Sequence, residues 1–284
     1  MFKNYYALAK PGIIFGNALT CIAGFMMASR GHISWGLLLA VVVGLSLIIG
    51  SACVFNNCLD RDMDAKMDRT KKRALVLGLI SLKNAVFFGV GLLIAGAWLL
   101  ALTTNALTLI AALTGFFMYV VVYTFSKRKT SYGTVIGSIS GAMPPLVGYL
   151  AVSNHLDSGA LIIFLIICLW QMPHFYAIAL FRLNDYESAS IPVLPAVKGV
   201  KRTKVHMLLY TIAFAIAAMM PTFAGYTGYW YLGVVGLLSL VWLGLCVKGF
   251  WAQDDKRWAR GVFFFSLVVV MGLAVMIPLD IVRG

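Results

Sequence analysis

Residues 55–73 read FNNCLDRDMDAKMDRTKKR, and nearly everything before and after them is apolar enough to sit in a bilayer. Four aspartates, an asparagine pair and six basic residues fall within this short stretch, a density that calls for a chemical reason. If the segment begins helical, Asn56, Asp60, Asp64 and Asp68 recur at intervals of four and lie along one face. A row of oxygen donors flanked by Arg69, Lys71, Lys72 and Arg73 suggests a divalent cation holding a phosphorylated ligand. Mg²⁺ takes oxygen ligands, keeps part of its water and is commonly shared between a few carboxylates and substrate phosphates. The plainer reading is a solvated loop whose charges pair with one another.

Outside this stretch the composition fixes the class. Of 284 residues 61% are hydrophobic and 12% charged, with a mean hydropathy of +0.91, which places the chain among polytopic membrane proteins. A net charge of +13 would suggest nucleic acid in a soluble protein, but here the basic residues follow membrane topology and no nucleic-acid partner is expected. Windows of about 20 apolar residues predict spans over 12–29, 35–55, 83–102, 106–125, 132–152, 159–180, 206–224, 229–248 and 261–279. The expectation is therefore an all-α bundle of nine transmembrane helices, one domain over residues 1–284.

The N-terminus and the loops after the second, fourth, sixth and eighth spans carry all the Lys and Arg except Arg30 and Arg283. That asymmetry puts the N-terminus in the cytoplasm and the C-terminus outside, in a bacterial inner membrane. Asp60, Asp62, Asp64, Asp68, Asp185, Glu187, Asp254 and Asp255 share the basic side, so function is expected there. Lys3 and Lys10 precede the first apolar run as in a signal peptide, but no convincing cleavage site follows and the run reads as a retained helix. Cys21, Cys53, Cys58, Cys168 and Cys246 are scattered without ligand spacing and give neither a zinc site nor a disulfide framework. The polar loops after spans two and six lie four helices apart, an offset that allows two parallel four-helix halves plus a ninth helix.

Two spans carry further signals. The fifth holds Gly133, Gly137, Gly141 and Gly148 with Pro144–Pro145, a pattern that permits close helix approach or simple packing. The sixth contains Trp170–Gln171–Met172–Pro173–His174, and an ionisable side chain at membrane depth is a functional candidate. His32, His155 and His206 lie in loops or at a span entrance and carry no such signal.

The pattern Asn56-x-x-x-Asp60-x-x-x-Asp64 at the end of a membrane helix, followed by Arg69-Thr70-x-x-Arg73, resembles the UbiA family of intramembrane prenyltransferases. With GAMPPLVGY (141–149), WQMPHF (170–175), FRLNDY (181–186) and IPVLP (191–195) in order, it is similar to the haem-farnesylating branch of that family. The resemblance covers most of the chain. It implies a UbiA-like bundle opening to the cytoplasmic side, farnesyl diphosphate and haem B as substrates, and a farnesyl group plus water added to a haem vinyl. It implies Mg²⁺ held by Asn56, Asp60 and Asp64, and diphosphate contacts from Arg69, Arg73, Lys127 and Arg128. Many relatives carry a second DxxxD after span six; here Phe181 stands at its first position and only Asp185 remains, leaving one further metal oxygen. Arg182 would then suit a haem propionate, and His174, about 12 Å away along the axis, would ligate haem iron or position the reacting group. The other reading of His174 is a buried side chain hydrogen-bonded to a neighbouring helix. A haem-copper oxidase or haem A synthase would use the product.

A charged diphosphate head at the interface with a lipidic tail in the bilayer fits this layout on physical grounds, since its departure needs charge neutralisation. A prenyltransferase for a quinone-type aromatic acceptor is the nearest alternative. An ion-coupled transporter usually places its ionisable residues near the midplane, on broken helices, whereas these carboxylates gather at one interface.

Overall fold

The computed structural model describes residues 2–283. Nine of its helices are long and apolar enough to cross a membrane: α1 (Pro11–Ser29), α2 (Trp35–Leu59), α3 (Leu82–Thr103), α4 (Ala106–Ser126), α5 (Gly133–Ser153), α6 (Ser158–Phe181), α7 (Leu194–Phe223), α8 (Tyr229–Trp251) and α9 (Asp255–Leu279). Helix is the expected answer to these apolar runs, because a lipid-facing backbone must satisfy its hydrogen bonds within the segment. Short helices at Phe2–Leu8, Arg61–Asp64 and Leu183–Ser188 complete the polar connections.

Several helices outrun the apolar windows. α2 continues to Leu59, α7 begins at Leu194 rather than 206, and α9 at Asp255 rather than 261. Hydropathy stops at the first charges, but helical structure continues past them. Lys198, Lys201 and Arg202 simply carry α7 beyond the apolar layer, across a break at Gly199 (φ 80°, ψ 164°). α4 changes its winding, with π geometry over Met118–Tyr123.

The neighbour pattern repeats at an offset of four. α2 packs on α3 as α6 does on α7; α4 on α5 as α8 on α9; α2 on α5 as α6 on α9. α1 and α5 form the central crossing and join the halves, with α1 also against α9 and α5 against α6. That crossing is backbone on backbone. A Cβ at Gly24 would lie 1.9 Å from the Pro145 carbonyl oxygen, and one at Gly148 would lie 2.0 Å from that of Cys21. The large apolar groups Phe25, Met27, Tyr149, Ile163, Phe214 and Trp242 fill the core around it.

The loops after α2 and α6 meet at one end of the bundle. Met63 and Met67 pack against Ala189 and Ile191, and Ser188 Oγ donates to the Lys66 carbonyl at 3.1 Å.

Candidate active site

Asn56 sits in the last turn of α2 because that helix runs past its apolar stretch. Asp60 leaves helical geometry (φ −92°, ψ 4°), and a single turn, Arg61–Asp64, follows. The register survives the break: the Asp60 N–H donates to the Asn56 carbonyl at 2.9 Å and the Asp64 N–H to the Asp60 carbonyl at 2.8 Å. Asn56, Asp60 and Asp64 are consequently buried side by side, at 4%, 3% and 2% exposure. Asp68 does not extend the row. The helix has ended by then, and its carboxylate stands in solvent beside Lys71, 2.5 Å away.

Two buried carboxylates are costly without partners, and cations from two segments supply them. Lys127, at the end of α4, pairs with Asp60 Oδ2, which also accepts from Asn56 Nδ2 at 2.7 Å. Arg73 NH1 donates to Asp64 Oδ2 at 2.5 Å. Arg128 forks onto exposed Asp62 at 3.0 Å through each nitrogen, while its NH2 stands 3.6 Å from Asp60 Oδ1. The π turn of α4 brings Tyr119 and Thr124 to Asn56, with Tyr119 OH donating to Oδ1 at 3.4 Å and Asn56 Nδ2 donating to Thr124 Oγ1 at 3.3 Å. An extra residue per turn re-aims the side chains beyond it.

Lys10 completes the site, and sequence reasoning took it only for a flanking charge. Its Nζ donates to Asn56 Oδ1 at 2.8 Å. Its backbone is left-handed (φ 55°, ψ 68°), rare for a residue with a Cβ, immediately before Pro11. Asn57 Nδ2 anchors the preceding segment by donating to the Leu8 carbonyl at 2.9 Å. Burial draws the Lys10 ammonium down to about 8 and also lowers that of Lys127. Lys10, Arg69, Lys72 and Arg73 line a cavity of about 310 Å³. A cation just before a proline at the head of the first span was the available signal.

The donor set suits a small hard cation. All three side chains offer oxygen, and Asp60 Oδ1, although buried, makes no hydrogen bond. Asp185 is not brought to this cluster: it lies 3.8 Å from Arg182, and no group of three His, Cys, Asp or Glu able to hold a metal occurs among the described residues. His174 is buried on α6, its Nδ1 2.7 Å from Ser266 Oγ of α9, stacked on Trp170 with centroids 4.6 Å apart. That is the contact expected of a histidine bound to a neighbouring helix. Arg182 caps α6 at the polar end.

A protoheme IX farnesyltransferase of Cronobacter sakazakii is 52% identical over 99% of this chain and 95% of its own length. Among solved structures, digeranylgeranylglyceryl phosphate synthase superimposes with a TM-score of 0.80 at 20% identity over 98% of both chains. A UbiA homologue from Archaeoglobus fulgidus bound to GPP and Mg²⁺ gives 0.72 at 16% identity, covering 96% of this chain and 99% of its own. Residues 17–268 match the UbiA prenyltransferase family as a whole, and the chain belongs to that family.

Proposed function

We propose that this protein transfers the farnesyl group of farnesyl diphosphate to a vinyl group of haem B, with addition of water and release of diphosphate, giving haem O. The carrying observation is the buried Asn56–Asp60–Asp64 row, ringed by Lys10, Arg73 and Lys127 at the end of a membrane bundle. Relatives about half identical over nearly their full length are named for that reaction.

Asn56, Asp60 and Asp64 would hold Mg²⁺, which when bound supplies positive charge against the departing diphosphate. Arg69, Arg73, Lys127 and Arg128, with Lys10, bind the diphosphate oxygens and stabilise the charge that grows as the C–O bond breaks. The apolar interior receives the isoprenoid tail and limits water around the allylic carbon. No protein nucleophile is needed, because the vinyl group attacks that carbon and water then adds to the acceptor. His174 and Arg182 are assigned to the haem side, as is Asp185 through Arg182.

The basic bias of the loops supports a cytoplasmic N-terminus, an outward C-terminus and a site opening to the cytoplasm of a bacterial inner membrane. A haem-copper oxidase or haem A synthase would take the product onward.

The test is turnover in inverted membrane vesicles supplied with haem B, farnesyl diphosphate and Mg²⁺. A haem heavier by one farnesyl and one hydroxyl group is expected, abolished by chelation and by Asp60→Ala. Prenylation of hydroxybenzoate or a naphthoate instead of haem would keep the family and overturn the acceptor.

A further inference from the structure

Resting on the haem reading above, we infer that α9 supplies half of the tetrapyrrole site: Arg260 joins Arg182 in binding the paired carboxylates, and Ser266 sets the tautomer of His174.

At the polar end of the α6–α9 seam, two guanidinium groups, one just past the end of α6 and one in α9, approach one ring. Arg182 Cζ lies 5.6 Å and Arg260 Cζ 5.8 Å from the centroid of Phe181. Arg260 makes no ion pair among the described residues, and Arg182 only the 3.8 Å approach to Asp185. Arg260 lies inside α9, and the ring it approaches belongs to another helix. Two forks gathered on one ring, each with donors to spare, match a ligand bearing two carboxylates on one edge. An apolar macrocycle with such an edge would lie along the seam toward the membrane interior, its carboxylates at the water boundary.

His174 lies deeper along that line, and its hydrogen bonds fix which nitrogen is free. Ser266 Oγ donates to the Phe263 carbonyl at 2.5 Å, the usual bond of a serine inside a helix. With its proton committed there, Ser266 Oγ is the acceptor of the 2.7 Å contact and His174 Nδ1 the donor. Nε2 then carries the lone pair and makes no hydrogen bond among the described residues. From His174 to Arg182 is about 12 Å of helix, of the order of the reach from a porphyrin centre out along a propionate arm. Ser266 is a positioning residue, acting through His174.

The test measures haem binding to purified protein by spectrophotometric titration, with haem and its dimethyl ester as probes. Arg260→Gln should weaken haem about tenfold or more while leaving the ester, and the KM for farnesyl diphosphate, unchanged; Arg260→Lys should recover only part of the loss. Ser266→Ala should shift the Soret band of bound haem, and Ser266→Thr should restore it. Equal affinity of Arg260→Gln and wild type for haem, or equal weakening of haem and ester, overturns the carboxylate assignment. An unmoved Soret band in Ser266→Ala overturns the tautomer assignment. Wild-type protein that binds neither probe but still consumes farnesyl diphosphate with another acceptor overturns the haem reading itself.

Discussion

Lys10 shows how one side chain can join a site from far away in the chain. Its contact with Asn56 spans 46 residues and depends on a left-handed backbone that neither charge nor hydropathy announces. The row it meets was legible, because a spacing of four is a local property of a helix and needs no tertiary knowledge. Asp68 shared that spacing yet falls outside, since nothing local says where the helix stops. Lys10 should also give the pH profile its alkaline limb. Its folded pKa of about 8 lies below the free lysine value, so the ammonium is present below pH 8 and lost above it. The KM for farnesyl diphosphate should accordingly rise as pH passes through about 8 in the wild type. In Lys10→Arg it should stay flat across that range, since arginine does not deprotonate there. Steady-state kinetics against pH check this, and parallel profiles in both proteins would remove Lys10 from the diphosphate contacts.

Among the elements, the apolar centres of the helices were readable and their ends were not. The start of α7 was missed because Lys198, Lys201 and Arg202 lower the hydropathy of residues that are nonetheless helical. The π winding of α4 was missed for a different reason: MYVVVY has the composition of any membrane helix, and only its neighbours, α5 above all, call for the altered register. Gly148 belongs to this scale. Because its Cβ position is filled by a backbone oxygen of α1, Gly148→Ala must spread the α1–α5 crossing. A loss of about 1–3 kcal/mol is expected from such overpacking, read as a lower unfolding midpoint in detergent. Gly91, where nothing lies within 4 Å, should accept alanine without that loss.

At the level of the whole molecule, the repeated pairing at an offset of four explains why both polar loops emerge at the same end and touch there. Sequence spacing suggested that arrangement, but not the lateral packing of Met63 and Met67 on Ala189 and Ile191, which depends on how the two halves meet. The ion pairs at that end have a thermodynamic consequence. Lys127 and Arg73 already pair with Asp60 and Asp64 in the free chain, so either ligand alone must break a contact that the other ligand would replace. Metal on the carboxylates releases the two cations to a polyanion; a polyanion on the cations releases the carboxylates to a metal. Magnesium and diphosphate should therefore bind with positive cooperativity, each raising the affinity of the other by the same factor. Calorimetry with each alone and with both together should show this, and Asp60→Asn should reduce the factor toward one. Identical affinities in the two settings would mean the pairs stay closed during binding. If they open, the bundle loads its charged ligands as a pair, each offsetting most of the other's charge at the membrane boundary.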